Sequence, residues 1–259
     1  MDLPEGLLIA NYESVRQKIV GFISAYMDRA GIDYAVLGLS GGIDSSLVLT
    51  LACEAVGPER VIGLMLPIYS AADLDNIRDA VELAEALGIE HQLFEIGPAL
   101  DSFKSLNLDK VCLGNVAARL RMTTCYAKAN MRNGIVLGTG NKSEILTGYF
   151  TKYGDAGVDL LPIAELYKVN VWGLADHIGV PKHIIEKTPS AGLWANQTDE
   201  GEMGVSYREL DSILFLRFDK KRTTDQIAER GHSPETIDRV MSFVSRSQHK
   251  RDPIPRAQI

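Results

Sequence analysis

Short runs of strand-forming residues alternate with longer amphipathic stretches through the first 138 residues of the chain. The runs at 35–39, 60–66, 90–95 and 135–138 are bounded by turn-forming residues, which predicts four strands. The stretches between and before them predict helices at 7–30, 45–56, 71–87, 98–106 and 110–132. This alternation predicts an α/β fold with a parallel sheet and helices on both faces, in which ligands bind beyond the carboxyl ends of the strands.

The pattern changes after Gly148. Residues 149–161 are polar and contain two glycines, which indicates a functional loop, and the long polar stretch at 188–204 is typical of a lid. The remaining helices are predicted at 162–178, from Pro181, and at 207–218, 224–230 and 234–248, before a basic tail. We interpret residues 1–259 as a single domain with an appended helical C-terminal part.

Composition and charge restrict the classes of function. The chain is 46% hydrophobic and 24% charged, as in soluble globular enzymes, and its net charge of −7 argues against sequence-independent nucleic-acid binding. No apolar run approaches the ~20 residues of a membrane span, and the acidic N-terminus lacks the layout of a signal peptide. Cys53, Cys112 and Cys125 are widely spaced and fit a reducing compartment, so we expect a cytoplasmic protein.

The segment after the first strand carries the strongest chemical signal. Ser40, Gly41 and Gly42 let the backbone approach a bulky anion, and the following helix directs free N–H groups to the same place. Asp44 would repel phosphate unless it holds a Mg2+ ion that the phosphates share. The structural alternative is a tight turn with a capping Asp or Ser. The full Ser-Gly-Gly-Ile-Asp-Ser-Ser sequence after a strand favours phosphate binding.

A second polar group follows the fourth strand. Thr139 lies one residue past it, where its hydroxyl could reach a phosphate, and Glu144 lies about one turn into the next helix. Asp44 and Glu144 both follow strands at the same sheet edge, and two carboxylates with phosphate oxygens suit Mg2+. The alternative is that Asn141 or Ser143 caps the helix and Glu144 is a favourable acid in its first turn. These residues alone leave both interpretations open.

The sequence Ser-Gly-Gly-x-Asp-Ser resembles the pyrophosphate loop of the ATP pyrophosphatases, which split ATP between its α and β phosphates. The resemblance narrows to the NAD synthetases through segments at 138–144, 148–155, 161–168, 189–193, 197–200 and 207–211. Their order and spacing cover nearly the whole chain, from residue 37 to Lys250. The fold that this resemblance implies is the adenine nucleotide alpha hydrolase-like fold.

The same resemblance implies a set of site residues. ATP would be bound by Gly38, Leu39, Ser40, Gly41, Gly42, Ile43, Asp44, Ser45, Thr139, Lys168 and Ser190, the last of which is commonly Thr in the family. Asp44 and Glu144 would bind Mg2+. Deamido-NAD+ would be bound by Arg119, Lys152, Asp159, His249 and Lys250. Asp199 and Glu200 lie in the predicted lid, and we interpret them as residues that close the site.

The reaction that the resemblance implies makes NAD+ from deamido-NAD+, ATP and ammonia. The nicotinate carboxylate attacks the α-phosphorus of ATP, and ammonia then attacks the acyl-adenylate, so no protein nucleophile is required. Glutamine-dependent relatives carry an extra amidase domain, for which ~40 preceding residues leave no room, so we expect free ammonia as the donor. The resemblance also implies a homodimer with deamido-NAD+ at the subunit interface, to which the helices at 7–30 and 110–132 could contribute.

Two other functions remain as alternatives. One is another adenylating enzyme with the same loop, such as a GMP synthetase subunit or a tRNA-modifying enzyme, although the segment 149–168 argues against both. The other is a regulatory module that binds an adenine nucleotide without turnover. The presence of Asp44, Thr139, Glu144 and Lys168 together argues against a module that has lost its catalytic function.

Overall fold

A four-stranded parallel sheet forms the centre of the fold, seen in a computed structural model that describes residues 2–69, 73–190, 192 and 197–258. The strands are β1 (Tyr34–Gly38), β2 (Val61–Met65), β3 (Glu90–Leu93) and β4 (Gly134–Val136), in the spatial order β3-β2-β1-β4. Every pairing between neighbouring strands is parallel, so the predicted parallel sheet is confirmed. An isolated bridge between Leu137 and Leu160 extends the β4 edge into the loop at 149–161.

Helices occupy the segments between and after the strands. Their bounds are α1 (Tyr12–Ala30), α2 (Ile43–Val56), α3 (Leu74–Leu87), α4 (Gly97–Asp101), α5 (Lys110–Met131), α6 (Lys142–Thr147), α7 (Lys168–His177), α8 (Lys182–Ile185), α9 (Asp199–Met203), α10 (Tyr207–Leu214), α11 (Thr224–Ala228), α12 (Pro234–Arg246) and α13 (Gln248–Arg251). Short 3-10 helices span Pro58–Arg60 and Ser102–Leu106, and a π turn, Phe215–Asp219, extends α10.

Alternate residues of β1, β2 and β4 bury side chains on opposite faces of the sheet, as the geometry of a strand requires. Leu37 and Met65 belong to the apolar cluster shared with α1, α2, α3, α7 and α8. Val36, Ile62 and Leu64 belong to the cluster on the other face, shared with α4 and α5. The prediction of helices on both faces is therefore confirmed.

The first helix begins later than the sequence pattern predicted. The predicted start at Leu7 is wrong, because Asn11 caps α1 by accepting a hydrogen bond from the Ser14 amide at 2.9 Å. The segment before it is held against α7 instead: Asn170 donates to the Leu7 carbonyl and accepts from the Ile9 amide, both at 3.0 Å. The predicted stop at Gly31 is confirmed by its left-handed φ of 65°.

The start of α3 differs from its prediction, and the predicted lid contains a short helix. The helix predicted at 71–87 begins at Leu74, and the predicted cap Ser70 lies outside the described residues. Asp73 occupies the N-cap position, but its carboxylate accepts from the Asn76 side chain at 2.6 Å and not from a helix amide. Within the predicted lid at 188–204, Thr198 caps the short helix α9.

The C-terminal helices form their own apolar cluster beside the sheet. Tyr207, Leu210, Ile227, Ile237 and Val240 are fully or almost fully buried in it. The predicted helical C-terminal part is confirmed, and α10 contacts both α6 and α7, which begin at the carboxyl edge of the sheet. In the described ranges, no helix combines the length and hydropathy needed to cross a bilayer.

Candidate active site

Hydrogen bonds of its own serine hydroxyls fix the conformation of the loop between β1 and α2. Ser40 Oγ lies 3.1 Å from Ser45 Oγ and accepts from the Gly42 amide at 3.2 Å, while Ser46 donates to the Gly42 carbonyl at 2.9 Å. Gly42 is the N-cap residue of α2, and it leaves the first turn without a side-chain cap. The amides of that turn can therefore bind an anion, as the sequence predicted.

Gly41 is required by the shape of this loop. Its φ is 70°, and an added Cβ would lie 2.2 Å from the backbone oxygen of Asn76 on α3. We expect Gly41→Ala to destabilise the fold by about 1–3 kcal/mol and to weaken MgATP binding, because the backbone must shift. Thermal unfolding and calorimetric titration with MgATP would measure both effects.

The control is Gly21→Ala, in the middle of α1, where an added Cβ would meet nothing within 4 Å. It should leave MgATP binding unchanged and raise the free energy of unfolding by up to about 1 kcal/mol. Equal MgATP affinity in both variants would contradict the assignment of the loop.

Asp44, Glu144 and Lys168 meet at the carboxyl edge of the sheet. Lys168 Nζ lies 2.5 Å from Asp44 Oδ2 and 3.7 Å from Glu144 Oε1. The Lys168 side chain is only 2% exposed, while those of Asp44 and Glu144 are 19% and 18% exposed. The structure thus brings together Asp44 and Glu144, which the sequence placed after two strands at one sheet edge, and Lys168, which the resemblance alone assigned to ATP.

Two acidic side chains and one lysine share this largely buried site. Burial and the neighbouring Asp44 raise the pKa of Glu144 to about 8, although Lys168 acts in the opposite direction. Burial lowers the pKa of Lys168, but Asp44 and Glu144 raise it more, so the net shift is upward and the ammonium is retained. Carboxylate oxygens are the ligands that a hard divalent cation such as Mg2+ prefers, so the two acidic side chains fit such an ion.

Asn141 reconciles the two interpretations of Glu144 that the sequence left open. Its side chain accepts from the Glu144 amide and Glu144 Oε2 accepts from the Asn141 amide, so a capping box is present at the start of α6. The Asn141 Nδ2 also donates to Asp44 Oδ1 at 3.0 Å. Glu144 therefore caps its helix with one oxygen and faces Lys168 with the other.

A cavity of about 690 Å3 opens from this cluster. Its lining includes most of the residues predicted to bind ATP, together with Glu144 and Lys250: Gly38, Leu39, Ser40, Gly42, Ile43, Asp44, Thr139, Lys168 and Ser190. Gly41 and Ser45, which were also predicted to bind ATP, are not part of this lining. Five neighbours of Ser190 in the lid, Ala191 and residues 193–196, lie outside the described residues.

Three of the residues predicted to bind deamido-NAD+ are joined in a chain of contacts beside the cavity. Arg119 Nη2 donates to the Lys152 carbonyl at 3.2 Å, and Lys152 Nζ donates to the His249 carbonyl at 2.5 Å. Lys250 donates to the carbonyls of Gly148 and Phe150 at 2.7 and 2.6 Å. The predicted basic tail is thus partly helical, as α13, and is attached to the loop at 149–161.

Asp159 lies apart from that chain of contacts. Its carboxylate accepts from the Tyr126 hydroxyl at 3.0 Å and from the Val136 amide at 2.8 Å, which fixes the loop to α5 and β4. Arg119 and Arg121, two residues apart on α5, contact different parts of the chain. Arg121 lines the cavity and donates to the Leu66 carbonyl at 3.0 Å.

Sequence reasoning missed several residues that support the site. Lys187 Nζ donates to the Gly41 carbonyl at 3.2 Å and to Asn76 Oδ1 at 2.9 Å, and it pairs with Asp79. This lysine joins the loop between β1 and α2 to α3. A lysine at the start of a polar stretch carries no signal of such a role, because surface lysines are common.

The predicted lid residues are attached to α10. Tyr207 OH donates to Asp199 Oδ2 at 2.9 Å, and the Tyr207 amide donates to Glu200 Oε1 at 2.8 Å. The Lys168 Nζ lies 5.2 Å from the centre of the Tyr207 ring. Tyr207 thus connects α9 to Lys168, which with Asp44 and Glu144 forms a group that we call the Asp44 cluster. The sequence analysis assigned Tyr207 only to a segment that resembles the family.

Comparisons with known proteins show which family this chain resembles. The family model described as NAD synthase matches residues 15–254. The NH3-dependent NAD+ synthetase of Thermococcus kodakarensis is 45% identical over 93% of this chain and 95% of its own length. Two solved structures are also similar over nearly their whole length.

The first is the NMN synthetase of Francisella tularensis, with a TM-score of 0.85, 37% identity, and coverage of 97% of this chain and 100% of that one. The second is the NH3-dependent NAD synthetase of Campylobacter jejuni, with a TM-score of 0.82, 30% identity, and coverage of 96% and 100%. Because the family model covers most of the chain and these relatives match it over nearly their whole length, this chain belongs to the NAD synthase family.

Proposed function

We propose that this protein makes NAD+ from deamido-NAD+, ATP and ammonia in the cavity at the carboxyl edge of the sheet. It is a ligase that forms a C–N bond and uses ATP as cosubstrate. The nicotinate carboxylate attacks the α-phosphorus of ATP and displaces pyrophosphate. Ammonia then attacks the carbonyl carbon of the acyl-adenylate, and AMP leaves with the electrons of the broken C–O bond.

The observation that carries this proposal is the convergence of Asp44, Glu144 and Lys168 on the loop between β1 and α2. The loop amides and Ser40 bind the departing pyrophosphate, and Lys168 supplies a fixed positive charge for the phosphates. Thr139 and Ser190, which line the same cavity, complete the proposed ATP site. The chain contributes positioning and electrostatics here, and no covalent enzyme intermediate is needed.

Mg2+ would be held by Asp44 and Glu144. When bound, it neutralises charge that develops on the phosphates. Asn141 keeps the Asp44 carboxylate in place through its 3.0 Å hydrogen bond, and the capping box fixes the Glu144 carboxylate on α6. Lys168 moderates the repulsion between these two acids.

Deamido-NAD+ would contact Arg119, Lys152, Asp159, His249 and Lys250. Of these five residues, Lys250 lines the cavity, and Arg119, Lys152 and His249 are joined to one another by the hydrogen bonds described above. A substrate that reaches from the cavity over this surface is compatible with a homodimer in which a second copy covers it. The molecular mass in solution would test the dimer, and a monomeric mass at working concentrations would contradict it.

One assay tests the function. The purified protein is incubated with MgATP, ammonium and deamido-NAD+, and NAD+ and AMP are measured together. We expect the two products to appear in equal amounts. Turnover with xanthosine monophosphate in place of deamido-NAD+, or AMP formation without any acceptor, would contradict the proposal.

A second candidate acceptor is favoured by the similarity to the NMN synthetase of Francisella tularensis. Nicotinate mononucleotide carries the same carboxylate but lacks the adenylyl half of deamido-NAD+. The same assay with this acceptor compares the two values of kcat/KM. We expect deamido-NAD+ to have the higher value, and the reverse order would make NMN the product.

Arg119 offers a test of the acceptor site. We expect Arg119→Ala to raise the KM for deamido-NAD+ by about 10-fold or more, since a charge-assisted hydrogen bond is lost, and to change the KM for ATP less than about twofold. The control is Arg132→Ala, at the end of the same helix, where the arginine pairs with Glu90 away from the cavity. Equal losses for both substrates in Arg119→Ala would refute the assignment.

A further inference from the structure

The helix that presents Lys168 is capped by residues from two other helices. Tyr167 is the N-cap residue of α7, and its own side chain makes no capping hydrogen bond. The Lys168 amide donates to Ser143 Oγ at 2.9 Å, and the Val169 amide donates to Asp211 Oδ2 at 2.9 Å. The first two amides of α7 are thus bound through tertiary contacts.

Asp211 connects both of these contacts. Its Oδ1 accepts from Ser143 Oγ at 2.5 Å, so the same carboxylate binds the Val169 amide directly and the Lys168 amide through the serine. Both Asp211 and Ser143 are 0% exposed. A single buried carboxylate therefore joins α10 to the N-terminal turns of α6 and α7, where the helix dipoles favour a negative charge.

The position of this carboxylate matters because each of its contacts lies next to a residue of the Asp44 cluster. Ser143 immediately precedes Glu144 on α6, and Val169 immediately follows Lys168 on α7. Tyr207, one turn before Asp211 on the same face of α10, places its ring 5.2 Å from the Lys168 ammonium. One face of α10 thus fixes both the backbone and the side chain of Lys168.

Burial of an acid at this place is costly unless its partners compensate for it. Burial raises the pKa of Asp211 to about 7, whereas the hydrogen bonds from Ser143 and Val169 lower it. An apolar residue would fill the same space without that cost, but it would leave the Val169 amide and the Ser143 hydroxyl without their acceptor. The carboxylate therefore has a specific task at the start of α7.

We propose that Asp211 is a positioning residue that, with Ser143, fixes Lys168 against Asp44 and Glu144 for ATP binding and catalysis. This inference rests on the proposed function for its effect on turnover. Its effect on MgATP affinity does not depend on which acceptor is used. A shift of Lys168 by about 1 Å is enough to change a rate by about 100-fold.

The test is a double-mutant cycle with Asp211→Asn and Lys168→Met, read as the dissociation constant of MgATP. An asparagine amide cannot accept both hydrogen bonds, so Asp211→Asn should weaken MgATP binding by about 10-fold and kcat/KM for ATP by about 10- to 100-fold. In the Lys168→Met background, the same substitution should change the dissociation constant less than about twofold. Equal factors in both backgrounds would reduce Asp211 to a structural residue.

Two further variants keep the test decisive. If Asp211→Asn does not fold, Ser143→Ala removes the acceptor of the Lys168 amide and keeps the Asp211–Val169 hydrogen bond, and we expect the same non-additivity. Asn170→Ala, also buried on α7, breaks the hydrogen bonds to Leu7 and Ile9 and should lower stability without changing MgATP affinity. A comparable loss of affinity in Asn170→Ala would overturn the inference.

The proposed function fails separately from this inference. A wild-type protein that makes no NAD+ from deamido-NAD+ contradicts the function, whereas the MgATP cycle still measures the coupling of Asp211 to Lys168. An additive cycle in a protein that does make NAD+ contradicts only the positioning role.

Discussion

Asp44→Asn should lower the rate of NAD+ formation by at least about 100-fold while the protein stays folded. Asparagine keeps the size of the side chain and an oxygen that can accept from Asn141 Nδ2, so the geometry of α2 need not change. It removes the negative charge that faces Lys168 at 2.5 Å and that would bind Mg2+. The expected defect is therefore electrostatic and not a loss of packing.

The measurement is the rate of pyrophosphate release as a function of Mg2+ concentration, together with thermal unfolding. If Asp44 is a metal ligand, the variant should need more Mg2+ to reach half of its maximal rate, and saturating Mg2+ should restore little activity. Asp33→Asn, an exposed acid at the opposite end of β1, is the matched control and should behave as the wild type. Unchanged turnover in Asp44→Asn would show that this residue is only part of a turn.

The fold was predictable because its signals are local. Each strand shows its own burial pattern and turn residues, and the glycines of the loop after β1 are explained by geometry within a few residues. The error at the start of α1 has the same origin. Apolar periodicity continues through the first residues, and only the side chain of Asn11 marks where the helix starts.

The site was predictable only in part, because its contacts join distant segments. Asp44 and Lys168 are 124 positions apart, and Ser143 and Asp211 are 68 apart. The resemblance marked Lys168 as an ATP residue, but no pattern in the sequence indicates that it lies between two carboxylates. The capping role of Asp211 was missed because an acid within a helical motif is normally read as a solvated residue.

Lys168→Met should have the largest effect on stability among the site variants. Methionine fills a similar volume in a place where the side chain is 2% exposed, so little packing is lost. The substitution leaves Asp44 and Glu144 facing each other without a cation between them. Loss of one partner from a buried charged group costs about 3–5 kcal/mol, and catalysis should be lost as well.

The loss of stability should grow with pH, measured without Mg2+. Burial and Asp44 already raise the pKa of Glu144 to about 8, above the ordinary value of 4.5 that the unfolded chain has. A raised carboxyl pKa means that the folded state binds more protons between these values, so its stability falls as the pH rises through them. Without Lys168 this pKa rises further, and the difference in free energy of unfolding between variant and wild type should be greater at pH 8 than at pH 6.

Lys142→Met is the matched control for this prediction. Lys142 lies at the start of α6, and its ammonium pairs with Asp219 at 2.8 Å instead of with Asp44 or Glu144. Its loss should cost less than about 1 kcal/mol, with no growth of the difference between pH 6 and pH 8. Equal stability of Lys168→Met and Lys142→Met would contradict this prediction. It would show that Asp44 and Glu144 do not depend on Lys168 for their charge balance.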